Sequence, residues 1–439
     1  MKIGNIAMLT ATAAGALVSS AGTRAATVPT AYVTNFGSGT VTPINTLTDT
    51  AGSAVTLGGT PNAIAITPGG TTAYVVNFSA STVTPVTMAT GTVGRPIRVG
   101  IGPFAIAITP NGATAYVTNY GSGTVTPITL ATGTAGTPIT VGSEPGGIAI
   151  TPNGATAYVA NAVPGTVTPI TLATGTAGTP ITVGNAPLGI AITPDGATAY
   201  VANYGSGTVT PITLATGTAG PPIWVGAGPS GIAITPNGAI AYVANALSGT
   251  VTPIDTATNM AGHPVPVGTA PLGIAITPDG GTAYVADYGS GTVTPITIAT
   301  GTAGHPITVG TDPYAVAITP EEASPSPRVA ITSASATVSH GYLGAILSCE
   351  DAACAGTIEA TEQVVVTGGE GKTTRLSTET IVLAESSYSI SEGTQARTEL
   401  KLTSMGTKLL TDVKAHPVRE DLVVTVHGGT STTMAISIS

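Results

Sequence analysis

Carboxylates are the side chains of this sequence most able to do chemistry, and residues 27–320 hold only seven of them. They are Asp49, Glu144, Asp195, Asp255, Asp279, Asp287 and Asp312. Glu144 and Asp312 occupy the same position of a repeated motif, in repeats that lie far apart along the chain. A carboxylate acts as a general acid or base when a second polar group lies within reach, and neither residue has a histidine or lysine partner. We therefore predict no catalytic residue, and keep a hydrolytic site with Glu144, Asp287 or Asp312 as an alternative.

One of these carboxylates, Asp287, stands where six other repeats have an asparagine. The asparagines are Asn35, Asn77, Asn119, Asn161, Asn203 and Asn245. Such a ring of oxygens could hold a cation, or each side chain bonds the backbone of its own turn. Asp195 and Asp279 also replace turn asparagines. His263 and His305 take equivalent places in successive repeats, either as exposed residues or as neighbours that share a metal. No HExxH or calcium-loop pattern occurs, so we predict neither a metal nor a cofactor.

Aromatic residues outside the repeated tyrosine position are concentrated in two kinds of loop. Within residues 27–320 and apart from Trp224, they are Phe36, Phe78, Phe104, Tyr120, Tyr204, Tyr288 and Tyr314. In the architecture inferred below, these loops converge on one face that carries rings and amides but almost no charge. Such a face suits saccharide or peptide binding better than catalysis on charged metabolites; alternatively, the rings cover the hairpins of their own repeats. The predicted ligand-binding residues are Phe36, Phe104, Tyr120, Tyr204, Tyr288 and Tyr314, with Asp287 and Asp312.

A 42-residue repeat positions all of these side chains. Seven tyrosines, separated by six equal intervals, head its motif: Tyr32, Tyr74, Tyr116, Tyr158, Tyr200, Tyr242 and Tyr284. Each repeat contains four short β-prone segments, which we name strands A to D in chain order; residues 106–109, 114–117, 123–129 and 138–142 are one set. Four strands in about 40–45 residues are typical of a propeller blade. The sequence therefore predicts an all-β fold with a seven-bladed β-propeller.

The phase of the repeats predicts how the ring closes. The first repeat begins at strand B, near Ala31, whereas an unpartnered strand A occurs at the far end, at residues 314–319. We expect this last strand to be the innermost strand of the first blade, because closure removes exposed sheet edges. Each strand C also contains a proline, as at Pro127, which lacks a hydrogen-bond donor. We therefore expect a bulge or a loosely paired strand D in every blade.

Composition excludes several functions. Of 439 residues, 58 are glycine and 34 proline, only 8% are charged, and the net charge is −9. Residues 27–320 contain no lysine, so the propeller lacks the positive charge that nucleic-acid backbones require. Residues 226–231 match GxGxxG, but a strand follows where a dinucleotide site needs a helix. No run of eighteen apolar residues follows the N-terminus, so we predict no transmembrane segment in the mature chain.

The two ends of the chain differ from the repeats. Residues 1–26 have the short basic start and small apolar run of a secretory signal peptide, which predicts a secreted, extracellular or cell-surface bacterial protein. Residues 321–328 read as a linker, and residues 329–439 as an immunoglobulin-like β-sandwich. Its Cys349 and Cys354 are the only cysteines. In an exported protein, two cysteines this close favour one local disulfide.

The repeated motif resembles that of a known family. The segments YVTN at Tyr32 and Tyr116, YVAN or YVAD in other repeats, and PLGIAITPDG resemble the repeat of YVTN-family β-propellers over about residues 30–320. The resemblance implies an exported or cell-surface propeller, often joined to an immunoglobulin-like module. The same fold is similar to that of lactonases of the 6-phosphogluconolactonase type.

We therefore predict an exported binding module without enzymatic activity, with a cell-wall polysaccharide or a protein as its partner. A lactonase-like hydrolase is one alternative. A structural surface-layer component is another, in which near-identical blades matter more than any pocket.

Overall fold

The computed structural model describes residues 29–320 throughout, and the backbone of seven strands between residues 329 and 438. The predicted signal peptide (1–26) and linker (321–328) lie outside the described residues. Every described element is a β-strand, and this part of the chain has no helix that could span a membrane. The fold is therefore all-β, as predicted. The chain separates into two compact units, of which one spans Thr27–Glu322.

Seven antiparallel sheets form the blades of a β-propeller, which confirms the predicted architecture. The innermost strands A contact one another from blade to blade; they are β5 (Pro61–Ile66), β10 (Pro103–Ile108), β15 (Ser143–Ile150), β20 (Pro187–Ile192), β25 (Pro229–Ile234), β30 (Pro271–Ile276) and β35 (Pro313–Ile318). Strands B are β1 (Thr30–Asn35), β6 (Thr72–Asn77), β11 (Thr114–Asn119), β16 (Thr156–Val163), β21 (Thr198–Asn203), β26 (Ile240–Asn245) and β31 (Thr282–Asp287). Strands C are β2 (Thr40–Asn45), β7 (Thr82–Thr87), β12 (Thr124–Thr129), β17 (Thr166–Thr171), β22 (Thr208–Thr213), β27 (Thr250–Asp255) and β32 (Thr292–Thr297).

The outermost strand D is split into two short pieces in every blade. The first pieces are β3 (Thr50–Ala51), β8 (Thr92–Val93), β13 (Thr134–Ala135), β18 (Thr176–Ala177), β23 (Thr218–Ala219), β28 (Met260–Ala261) and β33 (Thr302–Ala303). The second pieces are β4 (Val55–Thr56), β9 (Ile97–Arg98), β14 (Ile139–Thr140), β19 (Ile181–Thr182), β24 (Ile223–Trp224), β29 (Val265–Pro266) and β34 (Ile307–Thr308). Blade 1 thus combines β1–β4 with β35, and blades 2 to 7 follow in chain order.

The proline of strand C explains this split. Pro127 lies opposite Tyr116 in a regular pairing with strand B, and its carbonyl oxygen accepts a 2.8 Å hydrogen bond from the Gly136 N–H. Both backbone groups of a strand residue point to the same side, so the missing N–H of Pro127 also faces strand D. Strand D pairs only on either side of this point. The expected loose pairing of strand D is confirmed, whereas the bulges lie between strands A and B.

The ring closes through its last strand, as the phase of the repeats predicts. Strand β35 pairs with β1, in the register Ala31↔Ile318 and Val33↔Val316. A side-chain bond reinforces the junction of the last and first blades, because the Tyr284 hydroxyl donates to Oδ1 of Asp49 at 2.6 Å. The first blade is therefore built from both ends of the propeller sequence.

The hydrophobic core lies between blades. One layer consists of Tyr158 and Val167 of blade 4 packed against Ile190, Val201 and Ile212 of blade 5. Strands B are buried on both faces, which fits the absence of an apolar–polar alternation in their sequences. Each blade therefore depends on both of its neighbours for stability.

The described C-terminal strands form one seven-stranded antiparallel sheet in the order β36–β37–β40–β39–β38–β41–β42. They are β36 (Val329–Ser339), β37 (Tyr342–Cys349), β38 (Cys354–Gly368), β39 (Arg375–Ile390), β40 (Gln395–Leu402), β41 (Glu420–His427) and β42 (Thr432–Ile438). Cys349 ends β37 and Cys354 begins β38, but their side chains lie outside the described residues. The disulfide and the immunoglobulin-like sandwich stay predictions.

Candidate functional site

The loops that follow strands B and the loops that precede strands A lie at the same end of the propeller. The pairing of Pro103 with Asn119 places the start of strand A beside the end of strand B in blade 3. A backbone bond of 2.9 Å from the Tyr120 N–H to the Gly102 carbonyl joins the two loops. The aromatic residues of these loops are therefore brought to one face.

Five of the predicted rings form one contiguous cluster, which we call the mouth: Phe36, Phe104, Tyr120, Tyr288 and Tyr314. Tyr314 is its centre, with ring centroids 6.0 Å from Phe36 and 6.1 Å from both Phe104 and Tyr288. The Phe104 and Tyr120 centroids are 5.6 Å apart. The rings come from blades 1, 3 and 7, and all five are partly exposed. Five of the six predicted rings thus form one packed cluster, and their role in ligand binding stays a prediction.

The electrostatics of the cluster disfavour negative charge. Burial, together with the neighbouring phenols of Tyr288, Tyr120 and Tyr204, raises the pKa of the Tyr314 phenol. Tyr204 is therefore close enough to act on Tyr314 electrostatically, although it belongs to blade 5. The centre of the mouth resists the formation of a phenolate.

Two carboxylates border the cluster. The Tyr120 hydroxyl donates to Oε2 of Glu144 at 2.7 Å, and this bond, together with burial and the Glu144 charge, raises the pKa of Tyr120 to about 12. Asp312 lies beside Phe36, whose N–H donates to the Asp312 carbonyl at 2.9 Å. Both acids are partly exposed, and both have a left-handed backbone with a φ of 54°. Blades 3, 5, 6 and 7 have glycine or alanine there, since few side chains favour this conformation.

Asp287 does not belong to this surface. Its side chain is fully buried, and its oxygens accept from the Thr294 hydroxyl at 2.6 Å, the Thr292 hydroxyl at 3.3 Å and the Gly268 N–H at 3.1 Å. Burial raises the pKa of Asp287 to about 6, against the lowering effect of these bonds. Five of the six asparagines bond the equivalent groups: Asn119, for example, accepts from the Gly100 N–H and donates to Thr124 and Thr126. The exception is Asn77, which donates to Thr84 and whose Oδ1 has no partner in the described part of the chain. These side chains bond within their blades, and we leave Asp287 out of the candidate site.

The remaining candidates lie elsewhere. Asp195 accepts from the Ala197 N–H at 2.9 Å and from the Thr193 hydroxyl, which lowers the pKa of its carboxyl and makes it a turn residue; Asp279 repeats this arrangement. His263 and His305 are exposed, beside the split in strand D of blades 6 and 7. Among the described residues, no group of three acidic, histidine or cysteine side chains is placed to hold a metal.

Sequence reasoning missed one residue of the mouth region. Asn62 occupies the position of strand A that holds Phe104 in blade 3 and Tyr314 in blade 1. Its amide is 2% exposed and donates to the Phe104 carbonyl at 2.9 Å. Its Oδ1 has no hydrogen-bond partner in the described part of the chain. One signal in the sequence marks this position. The residue after the first proline of strand A varies from blade to blade.

Comparison with known proteins supports the fold. No protein-family model and no curated protein matches the sequence. Among solved structures, hydrazine synthase of Kuenenia stuttgartiensis is 23% identical with a TM-score of 0.54, over 65% of this chain and 92% of that one. A protein of Bacteroides uniformis, provisionally described as a 6-phosphogluconolactonase, is 18% identical with a TM-score of 0.58, over 66% and 100% of the two chains. A similarly described protein of Bacteroides fragilis is 17% identical with a TM-score of 0.58, over 67% and 99%.

These neighbours differ in function, and at such identities they share the fold alone. The chain is thus a seven-bladed β-propeller of the architecture that these proteins have in common.

Proposed function

We propose that this protein is an exported binding module, without enzymatic activity, whose ligand docks at the mouth of the propeller. The observation that carries the proposal is the convergence of Phe36, Phe104, Tyr120, Tyr288 and Tyr314 from three blades. Aromatic side chains provide large contact areas at low entropic cost. Partly exposed rings held by a rigid scaffold suit recognition of a peptide or a saccharide.

The ends of the chain support an extracellular setting. The signal-like residues 1–26 would direct export, and the C-terminal unit, with a disulfide between Cys349 and Cys354, would act as a surface module. On this proposal the partner is a protein or a polysaccharide of the cell surface.

A pull-down on peptidoglycan and cell-surface protein fractions tests the proposal. We expect the purified protein to bind, and a Phe104→Ala/Tyr288→Ala variant to lose most of the binding while its circular dichroism stays unchanged. Trp224→Ala is the matched control, because Trp224 is 73% exposed and lies on β24, an outermost strand of blade 5, which contributes no ring to the mouth. Equal binding by the mouth variant and the control would overturn the proposal. No binding by any of the three proteins would favour a structural surface-layer role instead.

One observation favours a second candidate function. The Tyr120–Glu144 pair places a phenol and a carboxylate in contact at the mouth, and two structural neighbours are provisionally described as lactonases. A lactonase-like hydrolase would use Glu144 as a general base or acid. A screen of lactone hydrolysis tests this alternative: turnover by the parent that disappears in Glu144→Gln would replace the binding proposal with an enzymatic one.

A further inference from the structure

We propose that the mouth binds an alkylammonium cation, in the form of a lysine side chain presented by a partner protein. This inference rests on the proposed binding function and names the chemistry of its ligand. It follows from the combination of aromatic rings, two carboxylates without a basic partner in residues 29–320, and the unpaired amide oxygen of Asn62.

The rings supply the first part of the argument. A cation within about 6 Å of a ring centroid is attracted by the negative face of the ring. Tyr314 stands nearly perpendicular to Phe104 and to Tyr288, at 86° and 87°. The planes of these partly exposed rings therefore point in more than one direction. On this proposal, a compact ammonium group on an apolar stem contacts more than one of them.

The carboxylates supply the second part. Glu144 borders the cluster on the side of Tyr120. The Asp312 carboxylate lies beside Gly37, the residue after Phe36, since a β-carbon at Gly37 would be 2.6 Å from Oδ2 of Asp312. Residues 27–320 contain two basic side chains, Arg95 and Arg98. Arg98 lies in the outermost strand of blade 2, and Arg95 three residues before it. Within residues 29–320, two carboxylates therefore border the mouth, and both arginines belong to the outer part of blade 2.

The acceptor of Asn62 is the third part. An amide oxygen that is removed from water without a partner is costly, and Asn62 lies in the blade between those of Tyr314 and Phe104. An ammonium group donates three hydrogen bonds and accepts none. It can therefore satisfy the acceptors that Glu144 and Asp312 offer at the border of the mouth. The unpaired oxygen of Asn62 lies at the strand A position that holds Phe104 and Tyr314 in the two neighbouring blades.

A small metal ion fits these residues less well than an organic cation. Glu144 belongs to blade 4 and Asp312 to blade 1, and within residues 29–320 no three ligating side chains come together. Calcium requires six to eight oxygen ligands at about 2.3–2.6 Å. A lysine side chain needs no such shell, and its four-carbon stem can lie along the rings.

Isothermal titration of the full-length protein with an end-blocked Gly-Lys-Gly peptide tests the inference. The same peptide with norleucine or acetyl-lysine in place of lysine removes the charge and keeps the stem, and n-butylammonium chloride tests the free cation. We expect the lysine peptide to bind at least about tenfold more tightly than either neutral peptide, since a bond to a charged group exceeds about 1.4 kcal/mol. We expect n-butylammonium to bind more weakly than the lysine peptide.

Two double variants with the same change of charge separate local from general electrostatics. Glu144→Gln/Asp312→Asn removes both carboxylates of the mouth, and we expect it to abolish the preference for lysine. Asp195→Asn/Asp279→Asn removes two carboxylates from turns where other blades have Asn111, Asn153 and Asn237. We expect this control to bind the lysine peptide within about twofold of the parent, because separated surface charges are largely screened at physiological salt.

The outcomes distinguish this inference from the proposed function. One outcome is that the lysine and norleucine peptides bind equally well and that this binding is lost in Phe104→Ala/Tyr288→Ala. That result would overturn the preference for a cation and keep the mouth as a binding surface. Binding of a saccharide, together with equal binding of the lysine and neutral peptides, would also overturn the preference for a cation and keep the mouth as a binding surface. Tighter binding of n-butylammonium than of the lysine peptide would overturn the protein partner in favour of a free amine. Lysine binding that survives in the aromatic variant would overturn both proposals.

Discussion

The hydroxyl of Tyr120 lies 2.7 Å from Oε2 of Glu144 and joins blade 3 to blade 4 at the mouth. The carboxylate accepts a hydrogen bond from the phenol, and loss of the phenolic proton would break this bond. The bond is the main reason that the pKa of Tyr120 is raised to about 12, followed by burial and the charge of Glu144.

Replacement of Glu144 by glutamine should therefore lower the pKa of Tyr120 from about 12 towards its ordinary value of 10.0. In the variant, the hydrogen bond to the neutral amide and the burial of the phenol still raise the pKa of Tyr120, but by less. A titration of the Tyr120 ring carbon next to the hydroxyl, followed by NMR, measures the change, and Asp195→Asn serves as the control. A value that stays near 12 in Glu144→Gln would show that the pair does not exist in solution.

Replacement of Asp287 by asparagine should stabilise the protein at neutral pH. Burial raises the pKa of Asp287 from 3.8 to about 6, so the folded state favours the protonated carboxyl. The stabilising contribution of that protonation is complete below pH 3.8 and is lost as the pH rises through about 6. Because one pKa unit corresponds to about 1.4 kcal/mol, ionisation costs up to about 3 kcal/mol above pH 6.

Urea unfolding of Asp287→Asn at pH 8 and at pH 4 measures this difference. We expect the free energy of unfolding to rise by about 2–3 kcal/mol at pH 8 and to change little at pH 4, because a neutral asparagine accepts the equivalent glycine N–H bond in blades 1, 3, 4, 5 and 6. The reverse substitution, Asn245→Asp in blade 6, should lower the free energy of unfolding by a similar amount at pH 8 and leave it almost unchanged at pH 4. Equal effects at the two pH values would contradict the account of Asp287.

The inner strands of several blades approach closely enough to require glycine. A β-carbon at Gly189 would lie 2.0 Å from the carbonyl oxygen of Ser230 in the next blade. We expect Gly189→Ala to destabilise the propeller by about 1–3 kcal/mol or more, since the backbone must move. Gly69→Ala is the control, because a β-carbon there has no neighbour within 4 Å. Thermal unfolding compares the two, and equal midpoints would contradict the close packing of blades 5 and 6.

Closure of the ring should depend on strand β35. Truncation after Gly310 removes every pairing of β35 with β1 and exposes an edge in blade 1. We expect loss of the cooperative thermal transition of the propeller. A chain that ends at Glu322 retains the whole compact unit Thr27–Glu322 and should unfold as the parent does. A cooperative transition in the shorter protein would show that closure contributes little.

The sequence predicts the propeller well because each blade repeats the same local signals. The turn of Pro110, Asn111 and Gly112 recurs, with Gly112 in the left-handed conformation as the last residue of a turn closed by its N–H bond to the Thr109 carbonyl. The missing strand A of the first repeat determines closure. The convergence of the aromatic loops follows from this topology alone. These features are local or periodic, so one repeat is enough to predict the others.

The details of the site depend on contacts between blades, which the period does not determine. From the sequence, the side chain at the position of Asp287 could point to its own turn or to the axis of the propeller. Only the packing of the blades shows that this position is buried. The bond from Tyr120 to Glu144 and the unpaired oxygen of Asn62 arise from differences between neighbouring blades. Each of these differences involves a single residue, and the sequence does not show how far apart two such residues lie.

The most direct test of the binding surface is an NMR titration of the tyrosine rings with the end-blocked Gly-Lys-Gly peptide. We predict saturable shifts of Tyr120, Tyr288 and Tyr314, while Tyr242, which is buried between blades, and the exposed Trp224 stay unchanged. Shifts confined to residues outside the mouth, or no saturable shift at all, would contradict the account.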